Sequence, residues 1–267
     1  MHAGINDAAL RLVALGRVHA LSCMVGGKAW TEASIASLRR LDGDTVDIGL
    51  HLDFTETPLR SGSRRGLPAL IAASLLHRLD ARMLQAEIAS QLDAFEKALG
   101  RPPAFIDGHQ HVHQLPVIRT VLMTELLGRY PTKLPWLRST RCGGVGLKAR
   151  LLERLGGRGL AALARRCGAG QNGRLLGVYD FKGGAQRYRT LLARWIASAD
   201  AGDLLMCHPS TGQQSGDPIG DARLCEYDVL SAAGPGLQLE AAGVHLAPMS
   251  RILAGAQPLP PDAPFPA

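Results

Sequence analysis

Between Ile106 and Gln114 the chain reads IDGHQHVHQ, and His109, His111 and His113 alternate there behind Asp107. An extended segment sends alternate side chains to one face, so this spacing predicts a strand that ends in a row of imidazoles. Neutral imidazole nitrogens at short mutual distance suit a borderline divalent cation such as zinc and tolerate other divalent metals. Three of the chain's nine histidines share this one stretch. That density points to a metal or catalytic site rather than to scattered polar positions. A catalytic metal usually takes three protein ligands and keeps one position open, so other segments must contribute.

Two further histidines sit where strands would deliver them. In TVDIGLHLDFT (Thr45 to Thr55), Val46, Ile48, Leu50, Leu52 and Phe54 alternate, which predicts a strand carrying His51 on the other face with Gly49 and Asp53. The apolar run DLLMCH ends at His208, just before Pro209. In a parallel barrel the C-terminal strand ends form the catalytic mouth, which is where His51 and His208 would then lie. Arg138 closes another short strand candidate, Lys133 to Ser139.

The elements that must position these groups follow from periodicity and punctuation. Helical spacing is predicted for Ile5 to Leu15, for Thr31 to Leu41 with Thr31 as N-cap, and for Leu67 to Gly100 with a break near Leu79 to Arg82. Pro116 to Arg129, Tyr188 to Ser198, Ala222 to Ala233 and Leu237 to Ala242 are predicted helices as well, with Arg223 and Glu226 spaced for an ion pair. Ala20 to Gly26, Ala104 to Asp107 and Val244 to Ala247 are predicted strands. Gly146 to Arg166 is a cationic amphipathic stretch, read as a solvated basic face in preference to a lid over an anionic or lipid-linked substrate. Alternating strands and helices favour a parallel sheet in one α/β domain over residues 1–255, followed by a proline-rich tail expected to be disordered.

The 267 residues are 46% apolar and 20% charged, a globular composition that argues against general disorder. Five cysteines form no C-x-x-C pair and are read as reduced thiols of a cytoplasmic protein. No leader-like start and no run of about 18 apolar residues is present, which leaves secretion and membrane spanning unsupported. The net charge of +7 raises a nucleic-acid partner, but aromatics make up only 4% and no recognised binding motif accompanies the charge.

Three segments, GLHLDFTETPL (Gly49 to Leu59), IDGHQHVHQLP (Ile106 to Pro116) and LLMCHPS (Leu204 to Ser210), together resemble the YdjC family of carbohydrate deacetylases. GINDAALRLVALGRVHALSCMVGG near the start and ARLCEYDVLSA near the end extend the resemblance over most of the chain. It implies a distorted (β/α) TIM-like barrel that hydrolyses the N-acetyl group of an amino sugar. It also implies one divalent metal ion, magnesium or zinc, with His51 and His109 as its histidine ligands by motif position. His208 takes the place of the family's third motif histidine, a candidate general acid for the leaving amine. Asp107, His111, His113 and Arg138 would support those imidazoles or line the substrate site. The expected partner is an acetylated sugar, with a lipid-linked form and a homodimer left open.

The family's first strand ends in an Ala-Asp-Asp-Phe-Gly motif that supplies a metal ligand and a general base, and the chain lacks it. The expectation is therefore a barrel without its first strand, from a start assigned at an internal methionine, and with weak metal binding, slow turnover and low solubility. The competing readings are a catalytically impaired sugar-binding homologue and a metal-dependent amidohydrolase of another superfamily.

Overall fold

The computed structural model describes residues 2–142 and 153–255. The apolar alternation around His51 becomes β2 (Asp47–Leu52), the most continuous strand of the sheet. It pairs in parallel with β1 (Ala20–Cys23) on one side and with β3 (Phe105–Gly108) on the other. β4 (Trp136–Leu137) continues the sheet beyond β3, in the order β1-β2-β3-β4. Parallel neighbours require crossovers, and helices make them. These are α2 (Glu32–Arg39) before β2, α3 (Leu67–Leu75) and α4 (Ala81–Leu99) before β3, and α5 (Ile118–Arg129) before β4.

A second parallel pair, β5 (Leu175–Leu176) and β6 (Leu204–Leu205), follows. It is tied to the first sheet by a bridge between Leu137 and Gln171 and by the Leu175 N–H donating to the Arg141 carbonyl at 2.7 Å. Among the described residues, β1 and β6 are each paired on one side only. The fold is thus a distorted α/β barrel of parallel strands, open between β1 and β6. Helices α1 (Ala3–Ala14), α6 (Arg158–Cys167), α7 (Gly184–Ala197), α8 (Gly220–Ser231), α9 (Gly234–Ala241) and α10 (Met249–Gly255) complete it. No described helix is long and apolar enough to cross a membrane.

Local chemistry explains the helix limits. The Thr31 side chain accepts from Ser34 N while the Ser34 hydroxyl accepts from Thr31 N, a reciprocal cap that starts α2. Asp80 accepts from the Arg82 and Met83 N–H groups at the start of α4, and Gly100, at φ 68°, ends it in the left-handed region. The main core packs Leu50, Leu52, Ile88, Leu92, Phe95 and Leu122 between sheet and helices. β2 is buried on both faces except at His51, as a parallel sheet covered by helices requires.

Several expectations change. The histidine row is not a strand. β3 stops at Gly108, and His109–Gln114 is a 3₁₀ turn in which Gln110 and His111 take left-handed φ values of 51° and 62°. The chain folds back so tightly that a Cβ on Gly108 would lie 2.8 Å from His113 N, so glycine permits the turn that alternation disguised. α5 begins at Ile118 rather than at Pro116. Val244 to Ala247 forms no strand, and α10 beyond it was not foreseen. Arg223 pairs with Asp217 instead of Glu226. Of the cationic stretch, residues 153–166 form an irregular turn and α6, while 146–152 lie outside the described residues, as does the proline-rich tail.

Candidate functional site

The register of β2 against β3 sets His51 opposite Asp107. Their side chains meet at 2.7 Å, His51 Nδ1 to Asp107 Oδ1. Ser22 of β1 reaches the same carboxylate and stands 3.1 Å from His51 Nδ1. From β4's end Arg138 enters, its Nη1 2.5 Å from Asp107 Oδ2 and its Nη2 donating to the Gly108 carbonyl at 2.8 Å. Burial alone would raise the Asp107 pKa, but Arg138, His51 and the Ser22 hydroxyl hold it far below the usual carboxylate range. Asp107 is therefore an anion, and it fixes His51 through Nδ1, leaving Nε2 as the nitrogen available to a ligand.

His109 opens the turn after β3, and its ring centroid lies 5.5 Å from that of His51. Its Nε2 is 3.0 Å from Glu56 Oε1. Burial first, and then the neighbouring His51, lower its pKa, which keeps the imidazole neutral. Glu56 sits on a loop pinned twice over. Asp53 accepts the N–H groups of Thr55, Glu56 and Thr57, and buried Glu87 accepts those of Leu59 and Arg60. Asp53 is consumed by its own turn and faces no site.

The remaining histidines divide by role. His113 is fully buried and donates through Nε2 to the Arg138 carbonyl at 2.9 Å; burial, then Arg138, pushes its pKa down to about 4. It braces the residue that pairs with Asp107. His111 accepts at Nδ1 from Arg138 Nη2 at 3.2 Å, and burial with Arg138 holds its pKa well below the usual value. His208 follows β6, with its ring edge-on to Phe181 at 5.2 Å. Burial, then Arg223 and Arg138, pushes its pKa down to about 3, and its buried Nδ1 has no hydrogen-bond partner.

Ser22, His51, Glu56, Asp107, His109, His111, Arg138 and His208 line one cavity of about 1320 Å³, and His113 does not. Apolar residues of β1 and β6, among them Leu21, Leu204 and Leu205, line the same cavity. The strands thus gather His51, Asp107, His109, His111, Arg138 and His208 and set His113 behind them. Sequence patterns do not mark Ser22, Glu56 or Glu226 as site residues: Ser22 and Glu56 are lone polar residues, and the spacing of Glu226 points only to an ion pair with Arg223. Ser22 shares the inward face of a short strand, and Glu56 lies three residues after an aspartate that caps a turn, the signals that were available.

Among the described residues, no three His, Cys, Asp or Glu side chains converge as a metal cage. His51 and His109 offer imidazole nitrogens of suitable chemistry, but Asp107 and Asp53, the carboxylates nearest in sequence, are already spent on hydrogen bonds. The residues present thus fit part of a divalent-metal ligand set and do not close it.

The human carbohydrate deacetylase is 32% identical over 144 residues, covering 49% of this chain and 42% of that protein. The mouse carbohydrate deacetylase is 29% identical over 144 residues, covering 49% and 44%. Each match spans less than half the length of the relative. A crystal structure from Enterococcus faecalis V583, of a protein named for a proposed role in cellobiose-phosphate cleavage, superposes with a TM-score of 0.68 over 94% of both chains at 17% identity. It shares the fold. The model of the YdjC-like proteins matches residues 1–235, and the chain belongs to that family.

Proposed function

We propose that this protein is a carbohydrate deacetylase, a hydrolase that removes the N-acetyl group from an amino sugar or oligosaccharide in the cytoplasm. The observation that carries this reading is that His51, His109 and His208 line one cavity large enough for sugar units, in a chain whose curated relatives are named carbohydrate deacetylases. Five free cysteines are in keeping with a reducing compartment.

Amide hydrolysis needs an activated water, a stabilised oxyanion and a protonated leaving amine. We assign His51 and His109 as ligands of one divalent cation, magnesium or zinc, which when bound supplies Lewis acidity toward the acetyl carbonyl. Asp107 keeps His51 Nδ1–H engaged and its Nε2 free. Arg138 holds Asp107 ionised, and His113 holds the Arg138 main chain. His208 is neutral at rest, so the proton it delivers to the amine is one it first takes from the attacking water. Water oxygen bonds to the acetyl carbon, the C–N bond breaks, and that proton passes through His208 to the sugar nitrogen.

The test is release of acetate from N-acetylglucosamine oligomers with added divalent metal. Slow release is expected, since the described residues supply two ligands of the usual three. His51→Ala and His208→Ala should each lower the rate by about 100-fold or more. Release unchanged in both variants would overturn the assignment of the site.

A further inference from the structure

β6 is short, and its last ladder bond is Met206 N–H to the Leu176 carbonyl at 3.0 Å. Something other than the sheet must therefore fix His208. Helix α8 does so through both main-chain polar groups. Arg223 Nη1 donates to the His208 carbonyl at 3.2 Å, while its Nε pairs with Asp217 at 2.7 Å. Glu226, fully buried, accepts the His208 N–H through Oε2 and the Tyr179 hydroxyl through Oε1 at 2.7 Å. The Tyr179 ring packs on Phe181 at 4.7 Å, and Phe181 packs edge-on against the His208 ring. One carboxylate thus grips the histidine from two sides, by its backbone and by the aromatic pair against its ring.

Burying a carboxyl group is costly unless its oxygens are satisfied, and both oxygens of Glu226 are. An apolar side chain there would leave the His208 N–H and the Tyr179 hydroxyl without this acceptor, so the position calls for a group that can bond both. We propose that Glu226 is a positioning residue for His208, setting the direction in which its imidazole meets the leaving amine. This rests on the reading of His208 as the proton-carrying group. Burial pushes the Glu226 pKa up to about 7, so the uncharged acid is an accessible form of the site and glutamine mimics it closely.

The experiment compares Glu226→Gln and Glu226→Ala in the full chain, with steady-state kinetics on N-acetylglucosamine oligomers and NMR of the histidine rings, the His208 signals being assigned by their loss in His208→Gln. Glu226→Ala should lower kcat by roughly 30-fold with KM within about 2-fold, and should shift the His208 ring resonances. Glu226→Gln should keep at least about a third of kcat and leave those resonances in place. Should the alanine variant not fold, Tyr179→Phe, which removes one of the two grips, should lower kcat by about 5-fold with KM kept. Unmoved ring resonances in every folded variant, or a loss in Glu226→Gln equal to that in Glu226→Ala, would overturn the proposal. If the wild-type chain releases no acetate from any N-acetyl sugar, the functional reading fails, and the ring resonances still decide whether Glu226 positions His208.

Discussion

Asp107 holds three partners at once, Ser22, His51 and Arg138, in a place that is 2% exposed. Removing its charge leaves Arg138 buried without a counter-ion, so Asp107→Asn should cost about 3–5 kcal/mol of folding stability, read by urea denaturation. It should also weaken divalent-metal affinity about 10- to 100-fold through the loss of His51 orientation. Equal metal affinity would show that His51 needs no such support. His113 and Glu226 pull stability in opposite directions with pH. The folded pKa of His113 lies at about 4, below the ordinary imidazole value of 6.5, so the stability it confers is present above pH 6.5 and lost as pH falls toward about 4. Glu226 is raised from 4.5 to about 7, so its contribution is present below pH 4.5 and lost as pH rises through about 7. Each shift corresponds to about 3 kcal/mol. Denaturation at pH 4.5, 6 and 8 should therefore find the acid-side loss reduced in His113→Gln and the alkaline-side loss reduced in Glu226→Gln.

The strands bring their side chains together at tolerances that leave no room for drift. A Cβ on Gly49 of β2 would stand 2.5 Å from the Phe105 ring, which itself stacks on Trp136 at 4.4 Å. Gly49→Ala should destabilise the fold by about 1–3 kcal/mol, with a matching fall in thermal midpoint, because neither ring can retreat from its partner. Most elements were legible in the sequence because they follow periodicity and caps: Thr31 begins a helix, Gly100 ends one, and the break near Leu79 to Arg82 falls where Asp80 caps α4. The Ile106 to Gln114 stretch was not, since alternation marks a face only where the backbone is extended, and the left-handed turn at Gln110 and His111 carries no residue signal of its own. His51, His109 and His208 were visible as strand-end histidines. Ser22 and Glu226 were invisible because their roles arise from strand register and helix docking, which no local pattern encodes.

Across the whole molecule, the two parallel sheets share one cavity but are joined unequally. β1 to β4 pair continuously, whereas β5 and β6 attach through the Leu137–Gln171 bridge, the Leu175 N–H bond to Arg141 and the Asn172 side chain, which accepts from Ser139 N at 2.7 Å. The +7 charge is spread over a fold whose described surface carries ion pairs such as Arg129 with Asp93 and Glu96, and Arg187 with Asp180. The narrow join has a consequence for how the protein breathes. A unit held by few main-chain bonds opens below the cost of global unfolding, so amide hydrogens of Leu175, Leu204 and Met206 should exchange with solvent deuterium well before those of Ile48 and Leu50. Uniform protection across all five amides, followed by mass spectrometry or NMR, would count against it. If the order holds, the half of the barrel that carries His208 visits an open state on its own, while the half that carries His51 and His109 stays folded and waits for it to return.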